Sequence, residues 1–187
     1  MCVCGVTNVA ADPEASVRVL LEMIGEDPDR DGLLDTPARV VKAWKEMTTG
    51  YTDDPAAILA TTFDQPFDEM VVIKDYPFVS LCEHHVLPFA GVVKVGYIPV
   101  DRVVGLSKLG RLVDCFARRL QIQERLTNDI GVALDTHINP QGVAVVVEAT
   151  HECMAHRGVN KPAVMVTSYL SGRFRHELPV RSEFLAL

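Results

Sequence analysis

Apolar residues recur along the chain first at helical spacing and then in the dense, alternating runs of strands, with the change near Met70. Asp12-Pro13-Glu14 is built as a helix start, an Asp cap with Pro in the first turn, and Val17, Leu20, Leu21 and Ile24 follow before Gly25. Thr36-Pro37 opens a second helix in the same way, with Val40, Val41, Trp44 and Met47 on one face and Gly50 beyond its end. Beyond Met70, Val71–Ile73, Phe78–Leu81 and Gly91–Ile98 read as strands punctuated by Pro77 and Pro88. Ser107–Leu120 returns to helix, with Leu109, Leu112, Val113, Phe116 and Leu120 as its buried stripe. A further helix is expected from about Gln123 to His137, then strands near Gly142–His151 and Ala163–Leu170. The order predicts an α+β domain over residues 69–187 behind an N-terminal helical arm over 1–68.

Composition narrows what such a domain can do. With 187 residues, 48% of them hydrophobic, the chain can bury a sizeable core as a single functional unit. A net charge of −7 excludes a generally basic nucleic-acid binder, so any anion site has to be built locally. No apolar run approaches the roughly 20 residues of a membrane helix. Met1-Cys2-Val3-Cys4-Gly5 places no Lys or Arg ahead of an apolar stretch, so a cytoplasmic location is expected. Five irregularly spaced cysteines (Cys2, Cys4, Cys82, Cys115 and Cys153) then point to metal binding or chemistry rather than to a disulfide framework.

Two clusters carry the chemistry. Cys82-Glu83-His84-His85 follows one strand, and His151-Glu152-Cys153 ends another, where residues two apart along an extended chain share a face. Thiolate and imidazole with few oxygen donors suit zinc. Cys82, His85 and Cys153 would make three ligands and leave a position for water, with His84 and His151 free to pass protons, an arrangement suited to hydrolysis. The alternatives are a closed structural site with one of those histidines as fourth ligand, or cysteines that merely fill the core. A thiol redox pair is a further option, weakened by the lack of a C-x-x-C motif.

Ser107 stands before a helix with Lys108 and Arg111 in its first turns, a candidate anion site that could equally be an ordinary cap beside solvated charges. Arg157, four residues past Cys153, could clamp a phosphate or be plain surface Arg. Glu124, beside Gln123, offers a carboxylate complementary to the adjacent N–H donors of guanine, or is an exposed helical Glu.

Phe78-Val79-Ser80-Leu81-Cys82-Glu83-His84-His85, Gly105-Leu106-Ser107-Lys108-Leu109, Gln123-Glu124-Arg125-Leu126-Thr127 and His151-Glu152-Cys153-Met154 with Arg157-Gly158-Val159, in this order, closely resemble GTP cyclohydrolase I. The likeness runs from about Asp27 to Leu187. It implies a tunnelling fold, an antiparallel sheet with two helices per subunit, and a homodecamer of two stacked pentamers with pockets at subunit interfaces. It implies zinc held by Cys82, His85 and Cys153, and water addition to C8 of GTP followed by ring opening, loss of formate and closure to 7,8-dihydroneopterin triphosphate, from which folate, biopterin and deazapurine routes can begin. By motif, His84 and His151 correspond to the acid/base groups, Gln123 and Glu124 to the guanine site, Lys108, Arg111 and Arg157 to the triphosphate site, and Ser107 to the sugar rearrangement. A non-catalytic zinc-stabilised purine- or pterin-binding module of the same fold is the competing reading. Lys161-Pro162-Ala163-Val164-Met165-Val166 is more apolar than is usual in that family.

Overall fold

A computed structural model describes residues 12–187, so Cys2 and Cys4 lie outside the described residues. Asp12 caps the first helix, α1 (Pro13–Met23), its Oδ1 accepting the Glu14 N–H at 2.9 Å. A short 3-10 turn over Asp31–Leu33 leads to α2 (Thr36–Met47). The apolar spacing found these helices, but it does not report burial in the isolated chain, because Leu20, Ile24 and Trp44 remain exposed. Residues up to Glu46 form one compact unit and Met47–Leu187 a second.

Within the second unit, Asp54 caps α3 (Pro55–Leu59) by accepting the Ala56 N–H at 2.9 Å, the same Asp-Pro device as at Asp12. Strand β1 (Thr62–Asp64) pairs only with a later short strand. Strands β2 (Val71–Cys82) and β3 (Pro88–Ile98) form a long antiparallel pair, and β4 (Arg102–Val104) is the partner of β1. Helix α4 (Leu106–Ala117), strand β5 (Leu120–Gln121), helix α5 (Gln123–Ile138) and strand β6 (Gly142–His151) follow. One helical turn, α6 (Glu152–Ala155), precedes β7 (Val164–Leu170), and helices α7 (Gly172–His176) and α8 (Leu178–Ala186) close the chain. The main sheet has the order β5-β2-β3-β6-β7, antiparallel throughout except that β5 runs parallel to β2.

Three local expectations need correction. The two runs 71–73 and 78–81 are one strand, because a bulge at Lys74 and Asp75 (φ 56°) absorbs the polar interruption. Pro77 lies inside that strand, tolerated because β5 pairs with β2 only at Leu81 and Cys82 and leaves the rest of that edge open. Leu120 is not the end of the α4 stripe; the helix stops at Ala117 and Leu120 pairs with Leu81.

Helices α4 and α5 cover one sheet face, where Leu109, Leu112, Val113, Leu126, Ile130 and Leu134 pack with Phe78, Val93, Val95, Val145 and Val147. On the other face Phe174 and Phe184 from α7 and α8 join Ile98 and Ala144. Gly131 on α5 lies against Tyr169 of β7, whose hydroxyl donates to Asp135 at 2.6 Å and whose pKa is pushed up to about 12, chiefly by burial. A Cβ at Gly131 would stand 2.1 Å from that ring, which its Asp135 bond prevents from yielding. Gly131→Ala should therefore destabilise the fold by about 1–3 kcal/mol, read by urea unfolding; unchanged stability would show that α5 can lift from β7 without cost.

Candidate metal centre

Strand β3 brings the two chemical clusters together. On one side Leu81 pairs with Pro88, and the Cys82 N–H donates to Leu87 O at 2.8 Å, so Cys82 ends β2 at the mouth of a tight turn. Val86 closes that turn, donating to Cys82 O at 2.8 Å with φ at 55°, a left-handed conformation costly for a β-branched residue. On the other side of β3, Phe89 pairs with His151. Cys153 is then delivered by the α6 turn rather than along an extended strand, since β6 stops at His151; the shared-face reasoning for residues 151 and 153 does not apply.

The ligand atoms of Cys82, His85 and Cys153 lie within 4.8 Å of one another, the one such group of three among the described residues. Cys82 is buried, Cys153 half-buried and His85 exposed, so the group opens at the surface. No carboxylate belongs to it: Glu83 makes a bidentate pair with Arg125 at 2.5 and 3.0 Å, and Glu152 Oε2 lies 2.6 Å from His156 Nε2, an ion-pair distance without hydrogen-bond alignment. Two sulfurs and one imidazole without oxygen donors fit zinc.

His84 stands beside the group, its Nδ1 3.9 Å from Cys82 Sγ, while His85 Nδ1 is 3.8 Å from the same sulfur. Arg157 Nη1 lies 3.0 Å from His85 Nε2. A guanidinium can only donate, so that nitrogen carries the lone pair; a cation taken by Nδ1 would require Nε2–H and so release Arg157.

His151 is held on two sides. Its ring stacks on Phe89 at 4.7 Å and 5°, and its Nε2 lies 2.8 Å from Gln123 Oε1. Burial pushes its pKa down, opposed in part by the charge of Glu124, which is exposed near it. Gln123 is only 1% exposed, its amide spent on protein groups.

The basic set divides. Arg157 is at the metal group, but α4 runs alongside β2 in the same direction: Gly110 faces Tyr76, Arg119 O accepts from Ser80 Oγ, and Leu120 pairs with Leu81. Ser107, Lys108 and Arg111 thus sit toward the far end of the strand, with roughly 20 Å of β2 between Tyr76 and Cys82. Gly105 is the cap of α4, so Ser107 lies inside its first turn rather than before it. Arg111 lines a cleft with Asp53, Asp114 and Arg118. Phe89 and Thr167 carry no signal of their own in the sequence, whereas Thr127 lies four residues after Gln123 on one helix face.

Burial, followed by the neighbouring Cys82 thiol, holds the Cys153 thiol above its ordinary pKa, so zinc loading has to expel a proton. Zinc affinity should rise with pH by roughly tenfold per unit for each proton released; a pH-independent affinity by competition with a chelator would contradict this. Cys153→Ala should lose zinc and His84→Ala retain it, measured by metal content after dialysis, with equal loss making His84 a ligand.

The GTP cyclohydrolase I family model matches residues 13–187. GTP cyclohydrolase 1 of Wolinella succinogenes is 53% identical over 174 residues, 92% of this chain and 93% of that protein. GTP cyclohydrolase 1 of Mycolicibacterium gilvum is 54% identical over 180 residues, 95% and 89% respectively. A solved structure, the archaeosine synthase QueF-Like in the apo form, gives a TM-score of 0.42 at 23% identity over 56% of this chain and 94% of that one, too slight a likeness to bear on fold or function. A family match over residues 13–187, running through both compact units, and relatives 53–54% identical over most of their length place this chain, with its candidate Cys82-His85-Cys153 metal group, in the GTP cyclohydrolase I family.

Proposed function

We propose that this protein opens the imidazole ring of GTP by hydrolysis, releases formate and forms 7,8-dihydroneopterin triphosphate, with zinc as its metal. The observation that carries the reading is a converging Cys82-His85-Cys153 group able to hold a metal, with His84 beside it and His151 two residues from Cys153, in a chain of this family. Zinc held by Cys82, His85 and Cys153 would supply Lewis-acid activation of water. His84, exposed beside Cys82, would protonate the imidazole, which makes C8 electrophilic. His151, its pKa lowered by burial, would transfer protons in the steps that follow. Glu124 would accept from guanine N1–H and its exocyclic amine, and Arg157 would take phosphate oxygens.

Ser107, Lys108 and Arg111 are assigned to the sugar and triphosphate of a nucleotide bound at a neighbouring copy's metal group, because they occupy the other end of β2. This requires self-association, read as a decamer of two pentamers in a tunnelling fold. Open backbone at β7 and along most of β2 supports it, as do Val79, Val164 and Val166, exposed on those strands. No described helix is long and apolar enough to cross a membrane.

Zinc-loaded protein incubated with GTP should release formate and, after oxidation, a fluorescent pterin; absence of both from a folded, metal-loaded sample would defeat the proposal. Site sharing has a separate test. Lys108→Ala and Cys153→Ala, each inactive alone, should recover roughly a quarter of wild-type activity when unfolded together and refolded as mixed oligomers. No recovery in verified mixed oligomers would place Lys108 in its own subunit's site.

A further inference from the structure

Gln123 belongs to the motif that resembles a guanine site, yet its side chain is buried and fully engaged. The direction of every bond around it can be deduced. Its Nε2 lies 3.0 Å from Val147 O, 3.0 Å from Met165 O and 3.2 Å from Thr167 Oγ1. The two carbonyls can only accept. The Thr127 hydroxyl donates to Gln123 O at 2.8 Å, which spends its one proton, so at the 2.6 Å contact between Thr127 and Thr167 it is Thr167 that donates. Thr167 in turn can only accept from Gln123. Three acceptors, sharing its two protons, therefore fix the amide nitrogen, and the amide cannot be flipped without setting its oxygen against two carbonyls.

Oε1 is left facing His151 Nε2 at 2.8 Å, and an amide oxygen only accepts. His151 must then carry a proton on Nε2, and in the neutral ring Nδ1 holds the lone pair. Phe89 stacked against the ring removes the remaining rotational freedom. Nδ1 makes no hydrogen bond of its own among the described residues, which leaves it as the nitrogen open to a reacting group.

We infer that Gln123 is a positioning residue: its locked amide selects the Nε2–H tautomer of His151 and reserves Nδ1 for proton transfer, instead of reading the guanine base. The kinetic side of this inference rests on the proposed GTP reaction, whereas the tautomer is observable without turnover. A side chain that orients a general base through a fixed hydrogen bond acts on the chemical step and leaves ground-state affinity alone.

The test compares wild type with Gln123→Met, which keeps approximate volume and removes the acceptor. In zinc-loaded protein carrying 15N-labelled histidine, the His151 resonances at neutral pH should report Nε2 protonated and Nδ1 bare in wild type. In Gln123→Met the two tautomers should mix. With zinc content unchanged, kcat should fall about 10- to 100-fold while KM for GTP stays within about twofold. A raised KM with kcat retained, together with relaxed discrimination between GTP and inosine triphosphate, would return Gln123 to guanine recognition and overturn the inference. Should Gln123→Met fail to fold, the wild-type spectrum decides alone: a proton on Nδ1 contradicts the inference whether or not the protein turns over GTP.

Discussion

The site depends on strand β3 being paired on both sides at its first two residues. Pro88 fixes the end of β2, and Phe89 fixes the end of β6. Cys82 and Cys153, which no local spacing would bring together, are thereby placed on neighbouring segments at one end of the sheet. The ladder interactions that hold them are backbone bonds in a core of valines and phenylalanines, so the metal group inherits the rigidity of the fold. Covalent crosslinks are not needed for it, and Cys82, Cys115 and Cys153 are free.

Around that end the chain separates two kinds of polar chemistry. The candidate metal group opens at the surface through exposed His85 and half-buried Cys153, with Cys82 buried beneath them. Behind them, Gln123, Thr127 and Thr167 form a closed set of hydrogen bonds with no member left to choose its direction. Such a network, with Gln123 and Thr127 buried and Thr167 half-buried, specifies one arrangement and passes that definition to the histidine it touches. The Val86 backbone, held at φ 55°, shows the same trade on the surface side: local strain is accepted where it turns His84 and His85 toward Cys82.

Much of this was legible in the residues themselves. Helix caps at Asp12, the long runs around β3 and β6, and the soft donor set at Cys82, His85 and Cys153 follow from local chemistry. What stayed hidden needed three dimensions. The Asp54-Pro55 start of α3 is too short to show periodicity, and the bulge at Asp75 looks in sequence like a break between strands. The α6 turn replaced an extended chain at Cys153, reaching the same convergence by another route. Gln123 and Glu124 are adjacent in sequence, yet the first turn of α5 buries one and exposes the other. The distance between Lys108 and Cys82 is a matter of helix direction along β2, which no motif records.

X-ray absorption at the zinc edge of the loaded protein addresses the central claim most directly. Two sulfur neighbours at about 2.3 Å and two nitrogen or oxygen neighbours near 2.0–2.1 Å, one of them exchangeable solvent, are predicted for a centre made by Cys82, His85 and Cys153. A single sulfur neighbour, or a shell closed by a second histidine, would contradict it.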